Sequence, residues 1–335
     1  EQSLVHKISL PHQITHFRWS HTNQAIYYLS EHPAKQIWKH SFSGEKSLVS
    51  STTFGFISQL NDSPALNTLE FVISAVDLDI EVANIVKPTT NKAFYQVNSA
   101  FPDYHPAISP DLSKLAFASK RTGTAQIWLR QSTDEFTQLT HFDKASYIYA
   151  LEWSPDNQHI LVNRNESIYI IDTQSSDATI LPLNAKQKFA WQWIDATTIA
   201  FIDEQNNSLF SFDIRSHNQQ LLKTNVRHAQ YEEKHWFIQE MHQQNVARYN
   251  DKFQSKKSIY AQLNQRNWRI NNTDLFIYNV NNKSLSKVGS DGNEVIVLRN
   301  IPNISSLKRA GDNSFVFHKV SSNEANIYQL HLPAD

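Results

Sequence analysis

The chain has no cysteine and only six glycines among its 335 residues. The first absence removes disulfides, thiolate nucleophiles and Cys-ligated zinc from its chemistry. The second matters through placement: Gly44, Gly55, Gly123, Gly289, Gly292 and Gly311 never flank a serine as G-x-S-x-G, so the strained nucleophile turn of a serine hydrolase is not written here. The phosphate loops G-x-x-x-x-G-K and G-x-G-x-x-G and the metalloprotease H-E-x-x-H are missing as well. Apolar runs are short; Glu294 to Leu298 is among the longest, far below the roughly 20 residues a membrane helix needs. Nor does one sign of charge dominate: 31 Lys plus Arg stand against 32 Asp plus Glu. Without a basic stripe to neutralise phosphates, direct nucleic-acid contact by this segment is not expected.

What is present is aromatic and apolar. With 40% hydrophobic residues, 19 Phe, 12 Tyr and 8 Trp, the chain can bury a substantial core, and the residue types favour sheet over helix.

Internal similarity organises the rest. From Tyr104 the sequence reads YHPAISPDLSKLAFASKRTGTAQIWLRQSTDEFTQLTHF, and about 45 residues later YALEWSPDNQHILVNRNESIYIIDTQSSDATILPL repeats its order of runs and turns. Fainter copies begin near Ile14, Phe56, Phe189, Arg227 and Ile301. Alternating runs bounded by Asn, Asp, Ser, Gly and Pro predict four short strands per repeat, called a to d from the inside out. A lone four-stranded unit cannot bury both faces, whereas radial copies stack face to face. The prediction is therefore an all-β chain: one β-propeller domain over residues 1–335, of about seven four-stranded blades, with six or eight left open. The last repeat supplies three strands, so Leu4–Leu10 is expected to pair with Asn326–Leu332 and close the ring through the two ends of the chain.

One repeat is too long. In the blade from Arg227 the second strand is predicted at His235–Met241 and the third at Asp274–Val280, which makes residues 242–273 an insertion carrying Arg248, Tyr249, Tyr260, Trp268 and Arg269. Such a mixture of cations and aromatics suits partner contact. A hairpin or a degenerate further blade is the competing reading, because NVARYND and SIYAQLNQ each read as a strand.

The residues His105, Pro106, Ala107, Ser109, Pro110, Asp111, Leu115, Ala116, Phe117, Ser119, Arg121, Gly123, Gln126, Ile127, Trp128, Gln138, Leu139 and Thr140 resemble the TolB-type (WD40-like) propeller repeat. Leu112 and Asn157 stand where that pattern carries glycine. The resemblance implies the fold, and three settings share it: TolB itself, the propellers of prolyl-oligopeptidase-type peptidases, and the periplasmic sensor halves of ToxR/CadC-like transmembrane transcriptional regulators. Repeat decay and an Asn/Gln-rich style are most similar to the third. That setting implies a non-enzymatic periplasmic domain, with a membrane span and a winged helix upstream of Glu1, that binds a ligand or protein partner; a free TolB-like interaction propeller, or a propeller hydrolase or lyase, is the alternative.

Candidate site residues follow. Arg121, Trp191, Arg248, Tyr249, Tyr260, Trp268 and Arg269 are candidate binding residues. Asp77, Asp79 and Glu81 alternate with apolar residues, so an extended backbone puts three carboxylates on one side, as a cation site would need. They are expected at the turn between the second and third strands of blade 2, where an acidic solvated turn is the ordinary explanation. The 15 histidines follow no ligand spacing, and no cofactor or metal is expected. The turns Ser109–Pro110–Asp111 and Ser154–Pro155–Asp156 are read as structural.

Overall fold

A computed structural model describes residues 14–332 apart from 31–34, 53–54, 86–95, 100, 132–134, 145, 166, 184–187, 204, 261, 264–266, 290, 302–306 and 312–313. The described residues form seven antiparallel four-stranded sheets. The first is Ile14–Trp19, Ala25–Ser30, Lys35–Ser41 and Lys46–Thr52. The second takes two strands from each end of the chain: Phe56–Ser63 and Thr68–Asn84 pair with Ser314–His331, which pairs in turn with Lys308–Arg309. The remaining five each use consecutive strands, with innermost members Asp103–Ile108, Ile148–Trp153, Lys188–Trp193, Val226–Glu232 and Asn267–Asn271.

Packing between sheets shows the architecture. Buried apolar clusters join the third sheet to the fourth, the fourth to the fifth, the fifth to the sixth, and the sixth to the seventh. Phe276 and Tyr278 of the seventh then pack against Phe315 and Phe317 of the second, and Ile80, Val82 and Val316 of the second against Ile108, Leu115 and Phe117 of the third. The cycle closes after six sheets. The chain is a β-propeller.

The first sheet stands outside that cycle. Its cluster, with Tyr27, Leu29 and Ile37, packs on Ile57, Leu60 and Phe71 at the outer end of the second sheet. Trp19 shows the consequence: it pairs in register with Ile26 as Trp153 does with Ile160 and Trp193 with Ile199, yet it is 56% exposed where they are 5% and 7% exposed. With no neighbouring blade on that side among the described residues, the same sequence position is exposed.

Two sequence-based expectations change here. Residues 242–273 are not an insertion between a second and a third strand. Val246–Asn250 and Lys256–Tyr260 are the third and fourth strands of the sixth sheet, and Asn267–Asn271 is the inner strand of the seventh. The repeat from Arg227 was long because it holds parts of two blades. Conversely, the copies near Phe56 and Ile301 are one sheet, so the total stays at seven. The expected closure strand Leu4–Leu10 lies outside the described residues; Asn326–His331 pair on one edge with Ile73–Thr68, and it is this pairing of Ser314–His331 with Thr68–Asn84 that joins the two ends of the chain.

The TolB-type signature residues explain the third sheet locally. The Gln126 side chain donates to Phe142 O (2.9 Å) and accepts from Thr140 Oγ1 (2.8 Å) and Phe142 N (2.9 Å), while Thr140 Oγ1 accepts from Ile127 N (2.9 Å). The fourth-strand end is thereby fastened to the third strand. At the Ser-Pro-Asp turns, Ser109 Oγ accepts from Lys114 N and Ser154 Oγ from His159 N, both at 2.9 Å. Leu112 and Asn157, at the positions where the repeat carries glycine, both hold the left-handed conformation with φ of 60° and 62°.

Candidate functional site

Each of the six ring sheets places one residue of its inner strand opposite the second or third residue of its neighbouring strand. Register pairs Ala107 with Ala116, Glu152 with Leu161, Gln192 with Ala200, Gln230 with Phe237, Arg269 with Phe276 and Lys308 with Val316. These six positions form one level around the channel axis. Hydrogen bonds at or beside this level join each sheet to the next. Trp153 Nε1 donates to Ala107 O (2.9 Å) and Trp193 Nε1 to Glu152 O (3.3 Å). Tyr231 N donates to Gln192 Oε1 (2.8 Å), and the Gln230 amide bridges Ile270 N and O. Asn271 Nδ2 donates to Gly311 O, and His105 N to His318 Nδ1 (3.2 Å).

The inner strands enclose a channel cavity of about 1800 Å³. That exceeds the roughly 300–1,000 Å³ of a small-molecule pocket. All inner strands run the same way along a propeller axis, so their first residues gather at one mouth and the turns that follow them at the other. A β-bulge near the start of four of these strands, between the register pairs at 104/107, 148/150, 189/192 and 226/228, re-aims residues there. His105, Tyr149, Trp191 and Arg227 fall in those bulges, and all four line the cavity.

Charge is graded along the channel. At the strand-entry mouth the ionisable lining residues described are Arg227, His105 and His228, with no carboxylate. At the central level stand Glu152, Arg269 and Lys308, and at the turn mouth Asp195, Glu232, Glu233 and Asp251 against Lys234 and Arg309. Lys308 Nζ donates to Glu152 Oε2, and Arg309 Nη1 to Glu232 Oε1 at 2.9 Å. Arg269 has no carboxylate at ion-pair distance among the described residues; its Nη1 donates to His228 Nε2 at 3.1 Å. Burial lowers the Arg269 guanidinium below its ordinary range, and Glu152 draws it back up. Burial, then Arg269 and Arg227, push His228 down to about 3, so its Nε2 stays an acceptor. Burial raises Glu232, opposed by Arg309.

Of the residues singled out from sequence, Trp191, Trp268 and Arg269 line this cavity. The others are elsewhere. Arg121 serves the interior of the third sheet: its Nη2 pairs with the fully buried Asp103 at 3.0 Å, and its guanidinium lies over Phe117, Trp128 and Phe136. Tyr249 donates to Glu240 Oε1 (2.7 Å), which also accepts from Lys256, and Arg248 sits beside Tyr249 on that third strand of the sixth sheet. Tyr260 donates to Glu294 at 2.5 Å, joining the sixth sheet's outer strand to the seventh's. Asp77, Asp79 and Glu81 lie inside the long strand Thr68–Asn84, not at a turn. Glu81 pairs with Lys319, and Asp79 is buried, its carboxyl raised first by that burial. Among the described residues no group of three or more His, Asp or Glu side chains is arranged to hold a metal ion.

Glu152, Gln192, Gln230 and Lys308 escaped the sequence reading. For three of them the signal was the position just before an aromatic at or near the end of an inner strand, in Glu152–Trp153, Gln192–Trp193 and Gln230–Tyr231; Lys308 precedes Arg309 and lacks it.

No protein-family profile and no curated protein sequence matches the chain. Solved structures of similar shape include a chain of a nidogen/laminin complex, 10% identical, covering 65% of this chain and 92% of that one with a TM-score of 0.48. A putative TolB from Agrobacterium tumefaciens is 15% identical over 93% of this chain and 92% of its own, with a TM-score of 0.35. An oligogalacturonate lyase from Vibrio parahaemolyticus is 12% identical over 73% and 74%, with a TM-score of 0.40.

Proposed function

We propose that this propeller is a non-catalytic binding module whose ligand or protein partner enters the central channel. The observation that carries the reading is the channel itself: about 1800 Å³, walled by Tyr149 and Trp191, with Glu152 and Glu232 both committed to cations. A carboxylate held by Lys308 or Arg309 is engaged in cohesion of the ring, and is ill placed to act as a free general base. The resemblance of residues 105–140 to the TolB-type repeat supports an extracytoplasmic setting. Within it, the sensory half of a membrane-anchored winged-helix regulator is the preferred role, and a free interaction propeller the second. Reading the gene upstream of Glu1 separates them: a winged helix and one membrane span fit the first, a signal peptide alone the second.

The channel reading is tested with the fluorescent dye 8-anilinonaphthalene-1-sulfonate. Saturable binding that weakens in Tyr149→Ala and Trp191→Ala, and is untouched in Arg248→Ala on the outer part of the sixth sheet, supports it. Binding lost only in the Arg248 variant, or steady turnover of peptide, ester or glycoside substrates by the pure protein, overturns it.

A further inference from the structure

The level formed by the six register-equivalent residues carries one surplus positive charge. Three of its members are charged, Glu152, Arg269 and Lys308, and the first and last neutralise each other. Arg269 is left with a neutral imidazole for a partner. A guanidinium offers five donors in a planar fork that matches a carboxylate in bidentate fashion. Only one of those donors is spent on His228, and that bond directs the side chain toward the strand-entry side, since His228 precedes the Gln230 level along its strand.

The surroundings agree with the direction. On the entry side Arg227 adds a second cation, and the described lining residues there include no Asp or Glu, whereas the four acids outside the central level all gather at the turn mouth. A part-buried guanidinium with no carboxylate at ion-pair distance among the described residues keeps donors that a ligand's carboxylate can complete. The apolar flank is present too: Trp268 packs edge-on to His228 at 4.6 Å between ring centroids, and Trp191 lines the same cavity.

We propose that the entry side of the channel binds a carboxylate-bearing ligand, with Arg269 as the anchoring cation and Arg227 beside it. This rests on the channel being the binding place and adds the chemistry of what binds. The carboxylate can belong to a small organic acid or to the end of a peptide; a sulfate-like tetrahedral anion matches the planar fork less well. The opposite gradient at the turn mouth, with Asp195 and Glu233, orients a peptide with its amine pointing away from Arg269.

The probes are the tetrapeptide Ala-Ala-Ala-Ala, its C-terminal amide, and propionate, followed by calorimetry on the whole chain. The free-acid peptide or propionate is expected to bind, the acid peptide at least about tenfold more tightly than the amide, as for a charge-assisted pair. That preference collapses in Arg269→Gln and is partly retained in Arg269→Lys. Should Arg269→Gln fail to fold, Arg227→Gln provides the second reading, with a smaller loss of preference. Propionate competing against the peptide assigns the site to small acids, and binding of the peptide alone assigns it to peptide termini. Equal binding of acid and amide, a preference that survives Arg269→Gln, or no binding of either acid overturns the anchor. The dye experiment keeps this failure apart from that of the channel reading, because its key variants, Tyr149→Ala and Trp191→Ala, leave Arg269 in place.

Discussion

Lys308 donates an ion-paired hydrogen bond to Glu152 across the channel, joining the inner strands of the second and fourth sheets over 156 residues of sequence. The third sheet lies between them and presents Ala107 at the same level, so no side chain blocks the span. Replacing Lys308 by Met should cost about 1 kcal/mol, the range of a partly exposed pair, because the two side chains retain 24% and 34% exposure. The double variant Lys308→Met/Glu152→Gln should recover part of that loss in urea unfolding, since Glu152 is then not left without its lysine.

Arg121 is predicted to be structural. Arg121→Ala strands the carboxylate of Asp103, which is 0% exposed, and should lower stability by about 3 kcal/mol. Burial already holds the Asp103 carboxyl above its ordinary range against the pull of Ser119 and Arg121. Arg121→Met with Asp103→Leu should restore most of the urea midpoint, and neither variant should alter dye binding in the channel.

The turn at Asn157 gives a backbone test. Its φ of 62° suits Gly or Asn, and its Oδ1 accepts from Asp111 N at 3.1 Å, fastening the turn of the fourth sheet to that of the third. Asn157→Ala should cost about 1–2 kcal/mol and Asn157→Gly clearly less, as read from thermal midpoints.

Stability should fall as pH is lowered from 7 to 4.5. Burial pushes His105 and His228 down to about 3 and His318 to about 4, from an ordinary value of 6.5. Folded-state values below the unfolded one mean that the unfolded chain takes up protons first. The contribution is complete above pH 6.5 and is lost as pH falls toward 4, at up to ~1.4 kcal/mol per unit for each histidine. Asp111, Asp156 and Asp172, held low by hydrogen bonds, titrate below this window. His318→Asn retains an acceptor for His105 N and removes one titration, so its urea midpoint should depend less steeply on pH; an unchanged slope contradicts the assignment.

Much of this fold was legible because strand alternation and Ser-Pro-Asp turns are local. Tyr104 to Thr140 and Tyr149 to Leu183 each read as one blade and are one sheet. What was not legible depends on distant pairing. Nothing local in Thr68–Asn84 tells that its 17 residues pair along their length with Ser314–His331, which merges two apparent repeats into one sheet. The first sheet has the same alternation as the ring blades, and among the described residues it is the exposure of Trp19 that sets it apart. The site was half legible for a related reason. Trp191, Trp268 and Arg269 stood out by residue type, but Glu152 and Lys308 acquire meaning only once a ring brings them together.

Carbodiimide cross-linking is the most direct measurement, since it forms an amide only between a carboxylate and an amine already in contact. Treatment of the folded chain followed by peptide mapping should recover Lys308 joined to Glu152, a link that requires the inner strands of the second and fourth sheets to face one channel with the third sheet between them. Recovery of both residues unlinked, under conditions that join the surface pair Lys287 and Asp274, would contradict the ring.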